Sequence, residues 1–298
     1  MRLDGERESD NVEDRRGSGG GFGGGFGGGG LPVIGGGRIG IGTIIIVLVA
    51  WLGFGINPLT MLGLMDGGGP PPAVQQAPAH KPPAGDQTAH FVSVILADTE
   101  DVWHDIFQRS GKQYTDPKLV LFSNMTPTGC GTGQAAMGPF YCPEDRKVYI
   151  DLSFFQTMKN ELGAPGEFAQ AYVIAHEVGH HVQNLLGISA KVQNLRSRQS
   201  EREANATSVR LELQADCFAG VWANHAQKMR NILEPGDVEQ ALRAASQIGD
   251  DTLQKSAGRA VVPDSFTHGT SAQRVRWFKA GFDGGDVNRC NTFSAQAL

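Results

Sequence analysis

No residue between Arg38 and Asp66 is charged, and the centre of that interval reads Ile39-Gly-Ile-Gly-Thr-Ile-Ile-Ile-Val-Leu-Val-Ala-Trp-Leu-Gly-Phe-Gly-Ile56. A helix needs about 20 apolar residues to cross a bilayer core. A soluble helix here would find nothing to pack on, because fourteen glycines fall between Gly17 and Gly37 and six prolines between Pro70 and Pro83. Stretches so biased bury too little apolar surface to offset the entropy of ordering them. The sequence therefore predicts a disordered Gly-rich tail over 1–37, a transmembrane anchor over 38–65, a Pro-rich linker over 66–90 and one globular domain over 91–298. A cleaved signal peptide fits less well, since the apolar run begins near residue 39 and no short small-residue cleavage site closes it.

Basic residues near the ends of a span set its orientation. Arg15, Arg16 and Arg38 precede the apolar run and only Lys81 closely follows it. The expected topology is a single pass through the cell membrane, with the N-terminus cytoplasmic and the domain extracytoplasmic. Cys130 and Cys142 flank a glycine-containing loop, whereas Cys217 and Cys290 are far apart. Four cysteines allow three connectivities. Joining Cys130 to Cys142 is the local solution, which leaves Cys217 to bond Cys290 or to stay an inert buried thiol. No CxxC pair is present, which argues against a zinc ribbon.

From Phe91 to Leu298 there are 208 residues, enough for one domain with a sizeable core. The formal net charge is −5 and the basic residues are scattered, so no nucleic-acid partner is expected. Lys118–Phe122 and Lys147–Leu152, rich in branched and aromatic residues, read as strands around the cysteine loop and suggest a small antiparallel sheet. Helical patterns follow over Gly166 to Leu186, Arg198 to Met229, Asp237 to Ile248 and Ser271 to Lys279. Strands followed by helices indicate an α+β domain.

The first of those helices carries His176-Glu177-Val178-Gly179-His180. Residues i and i+4 share a helix face, so both imidazoles can converge on one metal ion, with Glu177 about 100° round beside the open position. Phe168, Ala171, Tyr172, Ala175, Val178 and Val182 form an apolar stripe that fits a helix packed into a core. A catalytic zinc needs a third protein ligand. Glu212 on the next long helix is the candidate, and Asp216, one turn on, can accept a hydrogen bond from a ligand imidazole. Leu211, Leu213, Ala215, Phe218 and Ala219 surround that pair, where an unpartnered carboxylate is costly to bury.

His176-Glu177-x-x-His180 followed by Glu212-x-x-Ala215-Asp216 resembles the zinc peptidases whose third ligand is glutamate, the group of thermolysin and of the membrane proteases that process CAAX proteins or respond to heat shock. The chain is more closely similar to the bacterial neutral zinc metallopeptidases. That likeness runs through the Gly-rich N-terminus, the apolar run, Ala97–Trp103, Gly129–Gly131, Gly138–Pro143, Tyr149–Phe155, the metal motifs and His268-Gly-Thr-Ser-Ala-Gln-Arg-Val-Arg-Trp-Phe278. It implies a zincin-like domain, a peptide or protein substrate, and Zn2+ held by His176, His180 and Glu212.

In the implied chemistry zinc polarises the scissile carbonyl and acidifies its water, and Glu177 takes the proton and passes it to the leaving amine. His268, in a glycine-containing loop, resembles the downstream histidine of the related membrane proteases and is the candidate oxyanion donor. His181 points about 100° away from His180 and reads as a supporting or surface residue. His80, His90, His104 and His225 read as structural or exposed. The strand from Lys147 to Leu152 is the candidate for pairing with extended substrate. The rival function is a non-catalytic, membrane-tethered zinc-binding module that binds an envelope partner, against which an intact general base at Glu177 argues.

Overall fold

The computed structural model describes residues 1–17 and 79–298. Among them lie strand β1 (Val12–Asp14), helix α1 (Gln87–Arg109), strands β2 (Lys118–Phe122), β3 (Met125–Thr128), β4 (Gly131–Gln134), β5 (Phe140–Cys142) and β6 (Lys147–Asp151), and then seven helices. These are α2 (Ser153–Asn160), α3 (Glu167–Leu185), α4 (Ile188–Arg196), α5 (Glu201–Arg230), α6 (Asp237–Gln247), α7 (Asp250–Ser256) and α8 (Ser271–Gly284).

The α+β expectation holds, but its small antiparallel sheet does not. β2 and β6 pair in parallel, with Leu119 opposite Val148 and Leu121 opposite Ile150. The main sheet has the order β1-β2-β6-β5, antiparallel only between β5 and β6, and β3-β4 forms a separate hairpin. Strand periodicity shows which residues share a face, but not the direction of the neighbouring strand. The alternation itself is clean: Leu119, Leu121, Val148 and Ile150 enter the main core, while Val120, Phe122, Tyr149 and Cys142 form a second cluster on the other face. β6 has β2 on one side and β5 on the other, so the strand expected to receive substrate has no free edge.

β1 lies inside the expected tail. Its residues pair with β2, and the backbone of Leu119 donates to Asn11 while Arg15 donates to Leu121. Asp14 and His80 exchange backbone hydrogen bonds. Arg16 pairs with Asp14 and Asp86, and Arg7 with Glu100 and Asp101 on α1.

These contacts correct the expected single-pass membrane architecture and its localisation. No helix among the described residues is long and apolar enough to cross a membrane, and the anchor expected at 38–65 lies outside the described residues. Residues 1–17 and 79–298 share one folded body, whereas a single crossing would put them on opposite faces. Two of the three arginines used to orient the span, Arg15 and Arg16, belong to that body.

Helix packing builds the candidate metal centre. All six residues of the predicted α3 stripe are buried. α3 lies against β5 and β6 on one side and against α5 and α6 on another. Its crossing with α5 depends on Gly179, because a Cβ there would sit 3.0 Å from the Ala215 carbonyl oxygen. α5 in turn meets α8 through Gly220 and Gly281, where added Cβ atoms would come within 2.1 Å of the Phe278 carbonyl and 2.0 Å of the Cys217 carbonyl. Both disulfides are formed, Cys130–Cys142 from the β3-β4 turn to the end of β5 and Cys217–Cys290 between α5 and the C-terminal segment. Closing a loop with a sequence separation of 73 is worth about 4 kcal/mol.

Candidate metal centre

α3 presents His176 and His180 one turn apart, with ring centroids 4.8 Å from each other. α5 brings Glu212 to both: its carboxylate lies 3.2 Å from Nε2 of His176 and 3.5 Å from Nε2 of His180. One donor atom from each of the three residues falls within 4.8 Å of the other two. Tetrahedral zinc ligands at about 2.0–2.1 Å stand about 3.3 Å apart. Two imidazole nitrogens and a carboxylate fit a zinc ion in chemistry, and the two carboxylate–imidazole separations are close to that spacing.

Each imidazole is fixed through its other nitrogen. Nδ1 of His176 donates to Asp216 Oδ1 at 2.8 Å. The same oxygen accepts from the Tyr172 hydroxyl at 2.5 Å and from Arg274 Nη2 at 2.8 Å, while Asp216 Oδ2 accepts from Arg274 Nε at 2.9 Å. Asp216 is fully buried and Arg274 nearly so. Burial pushes the Asp216 carboxyl up, but Arg274 and His176 outweigh it and hold it below the usual range. For His176 burial opposes charge, yet Asp216 and Glu212 prevail, and without metal its pKa is pushed up to about 10. Nδ1 of His180 meets Gln183 Oε1 at 2.9 Å.

Glu177 is 7% exposed and makes no side-chain hydrogen bond among the described residues. Burial raises its pKa, against the pull of His176 and His180. His268 sits just before α8, whose start is set by a capping box in which Thr270 Oγ1 accepts from the Gln273 amide and Gln273 Oε1 accepts from the Thr270 amide. The amides of Thr267, His268 and Gly269 all donate to Asp250 Oδ2, at 2.8, 2.7 and 2.9 Å. His268 Nδ1 lies 3.2 Å from Asp250 Oδ1. Burial disfavours its charge, but Glu212 and Asp250 raise its pKa.

His176, His180 and Glu212 are thus brought together, with Glu177 next to His176 on α3, Asp216 hydrogen-bonded to His176 and His268 hydrogen-bonded to Asp250. Tyr172, Gln183, Asp250 and Arg274 were not anticipated as site residues. Arg274 stands six residues after His268, and a buried aspartate demanded a cation, which was the available signal. Gln183 lies at i+3 from His180 and so on its face. His181 is buried between the Thr115 carbonyl and the Tyr141 hydroxyl, away from the ligand set. His90 and His104 pair with Glu8 and Asp116, and His225 with the Gly285 carbonyl.

No solved structure matches the chain significantly. The Escherichia coli (strain K12) "Uncharacterized protein YpfJ" is 56% identical over 293 residues, covering 98% of this chain and 99% of the other. The Mycobacterium tuberculosis (strain H37Rv) "Uncharacterized protein Rv2575" is 45% identical over 195 residues, 62% of this chain and 65% of its own. With residues 1–293 matching the family described as "Putative neutral zinc metallopeptidase", this chain belongs to that family.

Proposed function

We propose that the chain is a zinc-dependent peptidase in which His176, His180 and Glu212 hold the metal and Glu177 is the general base. The observation that carries this reading is the convergence of those three donors beside a buried carboxylate with no side-chain hydrogen bond among the described residues. A bound zinc supplies Lewis acidity toward the peptide carbonyl and lowers the pKa of water from 15.7 to about 7. Glu177, one residue from His176 on α3, takes a proton from the attacking water and delivers it to the leaving amine. Its raised proton affinity suits that shuttle. Asp216 holds His176 with Nε2 turned to Glu212. His268, with Nδ1 donating to Asp250, can also donate from Nε2 to the oxygen on which negative charge develops when it is the imidazolium, the form that Glu212 and Asp250 favour. β5 is the end strand of the main sheet and packs on α3, which makes it the better candidate than β6 for lining up extended substrate.

The test uses the purified full chain. Stoichiometric zinc, cleavage of an unstructured protein such as casein, and loss of cleavage on chelation are expected. Zinc without any cleavage across several unfolded substrates contradicts the reading and favours a non-catalytic zinc-binding module.

A further inference from the structure

The two ligand imidazoles are held differently, and the His180 side contains a set of amides whose directions are all determined. Gln183 is fully buried. Its Nε2 donates to the Leu211 carbonyl at 2.7 Å and to Gln214 Oε1 at 3.1 Å. Gln214 is 5% exposed, and its Nε2 donates to the Cys290 carbonyl at 2.9 Å. Backbone carbonyls only accept, so they fix the orientation of both amides. Nε2 of Gln214 must face Cys290, which turns its Oε1 to Gln183. Nε2 of Gln183 must face Leu211 and Gln214, which turns its Oε1 to His180. An amide oxygen opposite Nδ1 requires a proton on that nitrogen and leaves Nε2 with its lone pair toward Glu212.

Building on the metal site assigned above, we propose that Gln183 is the positioning residue for His180, selecting its Nδ1–H tautomer through a directed relay that runs from the Cys290 carbonyl through Gln214 to Gln183. The anchor of the relay is held by the Cys217–Cys290 disulfide, and Cys217 follows Asp216, the residue that holds His176. Both imidazoles are therefore secured from the same stretch of α5. A flipped Gln183 amide would face an N–H toward Nδ1, lose two acceptors and steer the wrong nitrogen to the metal. Such supporting hydrogen bonds change metal affinity by about 10–100-fold when removed.

The experiment is read on metal, independently of peptide cleavage. In the full chain loaded with zinc and labelled with 15N, long-range imidazole spectra should show His180 with a slowly exchanging Nδ1–H and a metal-bound Nε2. Gln183→Leu should lower zinc affinity about 10–100-fold in chelator competition and speed exchange of that proton. Gln214→Met, which leaves Leu211 to hold Gln183, should fall between the two. Zinc on Nδ1 of His180 in the unaltered protein overturns the proposal, and that result needs no variant to fold. So does wild-type zinc affinity in Gln183→Leu. Absence of peptidase activity with these spectra intact would count against the proposed reaction and leave the relay standing.

Discussion

His176 and His180 are neighbours on one helix and face the same carboxylate, yet their supports belong to opposite chemical classes. Behind His176 stands a buried charge pair, Asp216 with Arg274, tied to the Tyr172 hydroxyl. Behind His180 stand two neutral amides ending on backbone carbonyls. An aspartate raises the basicity of its imidazole and demands a counter-charge; an amide orients its imidazole at little electrostatic cost. The charged side is strong only while complete. The neutral side degrades one hydrogen bond at a time.

Removing Arg274 breaks the charged side where it is most exposed to loss. Arg274→Ala leaves Asp216 buried without its guanidinium, an expected cost of about 3–5 kcal/mol. Denaturant titration of the metal-free protein should show it. Gln183→Leu, measured in the same way, leaves unpaired donors and acceptors but no orphaned charge, and should cost about 1–3 kcal/mol. If the two variants lose equal stability, the contrast between the sides is wrong.

The Asp250 support of the His268 loop sharpens the comparison through pH. Burial raises the Asp250 pKa, but the His268 side chain and the loop amides outweigh it and the carboxyl titrates below its ordinary 3.8. A lowered carboxylate pKa contributes stability that is complete above the unfolded value and is lost as pH falls through the folded one. The protein should therefore lose stability below about pH 4 more steeply than Asp250→Asn does. Gln183→Leu should leave that acid limb unchanged, because no proton titrates on an amide. Equal slopes for wild type and Asp250→Asn would remove Asp250 from the account.

The smallest expected effect is a coupling. Arg274→Ala and Gln183→Leu act on separate hydrogen-bond sets, so their stability costs should add within about 0.5 kcal/mol in a double-mutant cycle. A larger interaction energy would mean the two supports are one network.

The proposed ligand set was legible because helical spacing brings its members together: His176 and His180 at i and i+4 face one way, and Glu212 and Asp216 on a helix of buried residues had to find partners. The four helices from α3 onward that carried a long apolar period were also visible. α1 and β1 were not. β1 is three residues long, and what holds it, pairing with β2 across more than a hundred residues, leaves no local mark. The parallel direction of β2 and β6 escaped for the same reason. By spacing Tyr172 belongs to an apolar stripe, which hides that its hydroxyl donates to Asp216. Gln183 and Arg274 gave only weak signals, since a polar residue on a helix reads as solvated until its burial is known.

The central claim is that metal binding and proton transfer belong to different residues on the same helix. It is tested most directly by measuring zinc content and casein cleavage on Glu177→Gln and Glu212→Ala prepared side by side. Glu177→Gln should keep stoichiometric zinc and lose hydrolysis by several orders of magnitude, while Glu212→Ala should lose the metal as well. Zinc lost from Glu177→Gln and retained by Glu212→Ala would contradict the assignment.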